Sequence, residues 1–178
     1  MKTEFEVKIL EIDVPAIVRK LDSLGAKKIA ERCMRRFVYD LEKTEFSCKS
    51  WIRLRDDGEK TTLTLKEISS DAIDGTKEIE FVVGDFGLAD HFLQKLGFSP
   101  TAYQENRRVQ YLLDGVEIDI DSWPKIPAYL EVEAESAELV EKTVKLLGFE
   151  MSDVTSIGVG DVFKKYGFNI HDFKELKF

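Results

Sequence analysis

Cysteine and histidine are scarce in this chain, two of each among 178 residues, and that scarcity excludes several chemistries. Cys33 and Cys48 stand too far apart for a zinc motif and read as packing or incidental residues, with no disulfide expected between them. His91 is expected on the solvated side of a helix and His171 in the tail, and two isolated histidines make no zinc site. No apolar run approaches the roughly 18 residues of a membrane-spanning helix, and Met1-Lys2-Thr3-Glu4 opens no signal pattern. Basic excess is also lacking: 34 acidic against 26 basic side chains leave a net charge of −8, which argues against nonspecific nucleic-acid or membrane binding. Gly158 and Gly160 lack the strand-to-helix turn and following lysine of a phosphate loop. The expectation is a cytosolic chain with neither membrane nor nucleic acid as partner.

What the chain has in quantity is charge, at 34% of residues beside 43% hydrophobic. The length supports a sizeable core and reads as one domain over 1–178, with a core over 2–135 and a C-terminal helical segment over 136–178. Strict alternation makes Thr3 to Leu10 a strand, with Glu4, Glu6 and Lys8 on one face and Phe5, Val7 and Ile9 on the other. Asp13 caps a helix with Pro15 in its first turn that stops at Gly25. A strand over Lys27 to Asp40 and a polar loop over Glu42 to Lys49 follow. Trp51 to Asp56 and Thr61 to Glu67 form a hairpin across Asp56-Asp57-Gly58-Glu59. After a strand over Thr76 to Val83, Asp85 caps a second helix that ends at Gly97. One strand then reaches Leu113, turns at Asp114-Gly115 and returns to Asp121. Tyr129 to Glu135 is the last strand, Ser136 starts a third helix closed by Gly148, and Ser156 to Tyr166 is a short tail helix.

A shift of 72 positions lays Glu6 on Glu78, Asp13 on Asp85, Leu24-Gly25 on Leu96-Gly97, Arg35-Arg36 on Arg107-Arg108 and Tyr39 on Tyr111. This reads as two related strand-helix-strand units, each extended by further strands, about a pseudo-twofold axis.

The pattern of the first strand recurs along the chain. Arg53 and Arg55 oppose Ile52 and Leu54; Thr62, Thr64 and Lys66 oppose Leu63 and Leu65; Glu78 and Glu80 oppose Ile79 and Phe81. Asn106, Arg108 and Gln110 form a polar row, Glu117, Asp119 and Asp121 oppose Ile118 and Ile120, and Glu131 and Glu133 oppose Leu130 and Val132. Either the polar faces meet water around an oily barrel, or the barrel is turned inside out, with a polar interior and an apolar exterior. Three amphipathic helices favour the second arrangement, since each needs an apolar sheet surface to cover. A flat antiparallel sheet with helices on one face is the alternative. Trp51 and Trp123 read as packing or rim residues. The tail helix, with Phe163 and Tyr166, is expected to close a barrel end or serve an oligomer contact, a homodimer being the assembly considered.

Glu4-x-Glu6-x-Lys8, Arg53-x-Arg55, Lys66, Glu78-x-Glu80, Arg108, Asp119 and Glu131-x-Glu133, in that order, resemble the CYTH family. These are the triphosphate tunnel metalloenzymes, which include class IV adenylate cyclases, thiamine triphosphatases and inorganic triphosphatases. The resemblance covers essentially Lys2 to Glu135. It implies an α+β fold, a closed eight-stranded antiparallel β-barrel with helices outside, whose tunnel binds a triphosphate with a divalent metal. One departure stands out: where the family usually has a lysine two residues before the arginine, this chain has Asn106, and Arg107 is expected on the other face.

The same residues make chemical sense together. A triphosphate carries about four negative charges, which Lys8, Arg53, Arg55, Lys66 and Arg108 could neutralise, the arginine forks matching phosphate oxygens. Two carboxylates about 5 Å apart at an effective dielectric near 20 repel by roughly 3 kcal/mol, so a cluster of them calls for a counterion, and hard oxygen donors select Mg²⁺ or Mn²⁺. Glu4, Glu6, Glu131 and Glu133 are the expected metal ligands, while Glu78, Glu80 and Asp119 hold a second metal or orient the basic residues. Lys66 is the catalytic candidate, positioning or deprotonating the nucleophile. The expected function is metal-dependent hydrolysis of inorganic or organic triphosphate. The alternatives are cyclisation of ATP to cyclic AMP and pyrophosphate, and a non-catalytic module that senses polyphosphate or nucleotide.

Overall fold

The computed structural model describes residues 1–41 and 49–178. Eight strands alternate as the sequence requires: β1 Lys2–Ile9, β2 Lys27–Asp40, β3 Lys49–Asp56, β4 Thr61–Ile68, β5 Thr76–Val83, β6 Ala102–Leu113, β7 Val116–Ser122 and β8 Tyr129–Ala134. Every neighbouring pair among them is antiparallel, and the pairing runs β1-β5-β4-β3-β2-β6-β7-β8 and back to β1. The sheet is therefore a closed barrel with no free edge among these strands.

Three helices lie on the outside: α1 Val14–Ser23, α2 Phe86–Lys95 and α3 Ala137–Leu147. α1 and α2 start and end 72 positions apart, and their caps match. The Asp13 carboxylate accepts the Ala16 N–H at 3.0 Å, and Asp85 accepts that of Leu88 at 2.7 Å; each satisfies a donor the first helical turn cannot. Exchanging β1 with β5, β2 with β6, β3 with β7 and β4 with β8 returns the same ring order. The sequence echo is thus a pseudo-twofold of the whole barrel.

The outward apolar faces pack into two clusters, and a third closes one end of the barrel from inside. α1 and α3 cover β1, β7 and β8, burying Val7, Ile118, Leu130 and Val132 against Leu21, Val140 and Val144. α2 covers Tyr39 and Leu54 through Leu93. The tail covers Trp123 and Tyr129 with Phe163 and Ile170.

The structure corrects several boundaries. The first hairpin turn is Asp57 to Lys60, one residue later than the Asp-Gly pair suggests. The Asp57 carboxylate accepts the N–H groups of Glu59 and Lys60, and Gly58 takes the positive φ of 89°; this side-chain turn displaces the tight two-residue form. The tail helix, α4, is Val159–Lys165, because the chain is still extended at Gly158, φ −66° and ψ 159°. Two short strands escape the pattern reading. β9, Val154–Thr155, pairs with β1 at Lys8 and Ile9, beyond the part of β1 that β5 covers. β10, Glu175–Leu176, pairs parallel with β6 at Tyr103 and Gln104, beyond the part that β7 covers. The tail thereby seals both seams at one end of the barrel. Apart from Lys49, which opens β3, the expected polar loop lies outside the described residues, as does Cys48. Cys33 is an exposed free thiol. Among the described residues, no helix is long and apolar enough to cross a membrane.

Leu130 is fully buried where α1 and α3 meet the barrel. Leu130→Ala should cost about 2–5 kcal/mol, read as a lower denaturant midpoint with an unchanged slope.

Candidate active site: a charge-sorted tunnel

The inward faces enclose a tunnel of about 730 Å³ lined by ten basic and ten acidic side chains. A chain of net charge −8 has built a lining of no net formal charge. Of the expected site residues, Glu4, Glu6, Lys8, Arg53, Arg55, Lys66, Glu78, Glu80, Arg108, Glu131 and Glu133 all line it. Asp119 is buried behind Arg108, with Oδ2 2.6 Å from Nη1. Pairing register sets these neighbours: Glu6 lies opposite Glu133 and Lys8 opposite Glu131 across β1 and β8, while Lys66 lies opposite Glu78 across β4 and β5.

On one side Glu4, Glu6 and Glu133 each bring a carboxylate oxygen within 4.8 Å of the others. Lysines hold their flanks: Lys66 Nζ is 2.8 Å from Glu4 and 3.2 Å from Glu78, and Lys8 Nζ is 2.7 Å from Glu6 and 3.2 Å from Glu131. Burial, then the charges of Glu4, Glu131 and Glu6, push the Glu133 carboxyl up to about 7 against the pull of Lys2. Burial also raises Glu4, with Lys66 opposing. Burial would raise Glu131 as well, but Lys8 and Arg108 outweigh it and hold that carboxyl far below the usual range. Glu131 is ion-paired to Lys8 and Arg108 and is not one of the three carboxylates whose oxygens converge within 4.8 Å.

On the other side stand the arginines. Glu80 gathers Arg53 at 3.2 Å, Arg55 at 3.5 Å and the Thr64 hydroxyl at 2.6 Å. Neighbouring Arg53, then burial and Arg108, lower the Arg55 guanidinium to about 10, so it stays charged at neutral pH but in a field already crowded with cations. Arg108 is committed elsewhere. Its Nε and Nη2 donate to Asp121 at 2.9 and 2.6 Å, Nη2 also to Glu131 at 2.9 Å, and Nη1 meets Asp119. Of the two roles expected for Glu78, Glu80 and Asp119, this geometry favours orienting the basic residues. Asp119 itself is raised to about 8, mainly by burial and despite Arg108.

Sequence reasoning missed Arg36 and Asp121. Arg36 is buried on the inner face of β2, its guanidinium 4.7 Å above the Trp123 ring and donating to Asn106. Burial, Arg53 and Arg55 lower its pKa strongly. Its Nε and that of Arg53 are buried without a hydrogen-bond partner among the described residues. The internal echo held the signal, since it pairs Arg36 with Arg108. Asn106 lines up inward as expected, donating to Asp121 at 3.1 Å and accepting from Arg36, so a cation from β2 stands beside the position where the family usually has lysine. Arg107 faces outward, over the Phe178 ring. Trp51 and Trp123 both line the tunnel, and Trp123 is also buried and packed, its Nε1–H donating to the Tyr129 hydroxyl at 3.0 Å. Ser156, Gly158, Val159, Ile170 and His171 line it too, which makes the tail a wall at the sealed end.

The donor set fits a hard divalent cation. Three carboxylates converge, one of them pushed up to about 7 by burial and then by its neighbours' charges, a crowding that Mg²⁺ or Mn²⁺ would relieve with oxygen ligands. Comparison with solved structures finds the same architecture elsewhere. The PH1012 protein of Pyrococcus horikoshii OT3 is 25% identical with a TM-score of 0.74, over 87% of this chain and 96% of that one. An adenylate cyclase candidate from Vibrio parahaemolyticus is 11% identical with a TM-score of 0.74, over 92% and 98%. HpAC1 from Hippeastrum, an adenylyl cyclase candidate described as having a dominant triphosphatase activity, is 17% identical with a TM-score of 0.60, over 97% and 100%. No curated protein sequence matches. The CYTH domain profile matches residues 2–156, and the chain belongs to the CYTH domain family.

Proposed function

We propose that the tunnel binds a triphosphate with Mg²⁺ or Mn²⁺ and hydrolyses it. The observation that carries this reading is the sorting of the lining into a carboxylate trio, Glu4, Glu6 and Glu133, and a crowded wall of Arg36, Arg53 and Arg55. A polyanion relieves the repulsion among the arginines, and their forks match its non-bridging oxygens. Glu4, Glu6 and Glu133 would hold the ion, which when bound polarises a phosphoryl oxygen and offsets developing charge. Glu80 fixes Arg53 and Arg55, so that part of the clamp is oriented before substrate arrives. Lys66, held by Glu4 and Glu78, positions the attacking water beside the carboxylate trio. The family's association with triphosphate substrates agrees.

Incubation with tripolyphosphate, ATP and thiamine triphosphate in Mg²⁺ or Mn²⁺ tests the reading. Orthophosphate release supports it, cyclic AMP with pyrophosphate selects the cyclase, and binding without turnover selects a sensing module.

Glu6→Gln should lower turnover at least about 100-fold while leaving the fold intact, since it relieves the repulsion with Glu4 and Glu133 and its amide oxygen still accepts from Lys8; undiminished turnover would count against a metal role. Arg36→Met keeps the buried stem and should raise the half-saturating tripolyphosphate concentration about tenfold, as expected for a lost charged hydrogen bond. An unchanged value would remove Arg36 from the clamp.

The Glu133 carboxyl is raised from 4.5 to about 7 in the fold, so the folded chain holds more protons than the unfolded one across that window. Stability present below about pH 4.5 should be lost as pH rises through 7, by roughly 3 kcal/mol when no divalent ion is added. Melting temperature against pH should therefore fall from 5 to 8, less steeply in Glu133→Gln, and Mg²⁺ should restore more of it at pH 8 than at pH 5.5. A flat profile would contradict the crowding.

A further inference from the structure

The pseudo-twofold has one unmatched part. On the first half α3 lies beside α1, seated over β8 and β1, with Val140 and Val144 wholly buried. The half-turn that exchanges β8 with β4 and β1 with β5 places the equivalent seat over β4 and β5, beside α2. No helix follows β4, because the chain turns back through residues 69–75 directly into β5.

That seat is apolar and open. Ile79 and Phe81, on the outer face of β5, are 46% and 54% exposed, with half-buried Leu65 of β4 next to them in register. The flank of α2 is apolar as well: Leu88, Phe92 and Leu96, four residues apart, are 72%, 62% and 58% exposed. Its direction follows from the opposite flank, where Asp90 accepts the Tyr39 hydroxyl of β2 at 2.9 Å. With that edge turned to β2 and Leu93 turned down onto β3, the Leu88, Phe92 and Leu96 edge is turned toward β4 and β5. The corresponding positions of α1, 72 earlier, are Ala16, Lys20 and Leu24, so the bulky apolar stripe belongs to α2 alone.

We infer that a second copy of this chain covers this face, the α2 stripe of each copy entering the β4–β5 seat of the other about a twofold axis. The other half of the barrel indicates what fits such a seat, an amphipathic helix, and α2 carries an unpartnered apolar edge on the same face. Self-complementarity of this kind is what an isologous dimer needs. The five exposed side chains offer roughly 500 Å² per copy, at the upper end for a single patch on a monomer and, with a polar rim, approaching the ~800 Å² per partner of a standard interface. Charge permits the meeting despite a net −8. The outer faces of β4 and β5 carry only Glu67 and Lys77, which lie directly opposite each other and cancel.

Light scattering on the intact chain tests this. The wild type should run as a dimer of about twice the 20.4 kDa chain mass. Phe92→Glu on the stripe and Phe81→Glu on the seat should each give a monomer that keeps its circular dichroism and melting transition, and Leu139→Glu on α3 should remain dimeric. A monomeric wild type at 100-micromolar order concentration overturns the inference, and so does a dimer that survives both the Phe92 and the Phe81 substitutions.

Discussion

Charge repulsion inside a closed barrel is the constraint from which the rest follows. Turning the ionic faces of eight strands inward puts ten acidic and ten basic side chains around one tunnel, partly removed from the water that would screen them. Opposite charges could have been interleaved to cancel locally. Arg108, with its three carboxylates, and Lys8, with two, are cancelled in that way. Beyond that pairing the lining is sorted, so that Glu4, Glu6 and Glu133 crowd one another on one side, flanked by Lys8 and Lys66, while Arg36, Arg53 and Arg55 crowd one another on the other around Glu80. A polyanion and a divalent cation together relieve both repulsions, and neither does so alone.

The barrel's internal symmetry explains how the sorting arises. Two copies of one strand-helix-strand unit give the same ring order when exchanged; β1 and β5 both turn carboxylates inward and β2 and β6 both an arginine, yet the inward residues of the other two equivalent pairs differ in sign. β3 carries Arg53 and Arg55 where its partner β7 carries Glu117, Asp119 and Asp121. β4 carries Thr62, Thr64 and Lys66 where β8 carries Tyr129, Glu131 and Glu133. Backbone and caps keep the twofold while the side chains break it, which makes the tunnel polar across its width. The outside breaks it differently, through α3 on one half and an open seat on the other.

The alternation of charged and apolar residues carried the strand set, the inside-out barrel and most of the lining, because a period of two assigns each side chain to a face without knowledge of its neighbours. What it could not carry was partnership across strands. Arg108 has a phosphate-binding residue type at a suitable position, but registration with β7 and β8 gives its fork to Asp121, Asp119 and Glu131. Arg36 was visible in the repeated arginine pair, yet the mixed pattern of β2 hid which member of the pair faced inward. β9 and β10 are two residues each and exist because β1 and β6 leave unpaired edges there, a tertiary cause with no local signal. The turn at Asp57 shifted because a carboxylate capped two backbone donors, chemistry that competes with the Asp-Gly rule.

The most direct measurement is a crystal structure grown with Mn²⁺ and tripolyphosphate, with manganese located by its anomalous scattering. A peak among Glu4, Glu6 and Glu133, with phosphate oxygens on Arg36, Arg53 and Arg55, is the expected result. Manganese bound away from those carboxylates, or tripolyphosphate bound outside the tunnel, would contradict it.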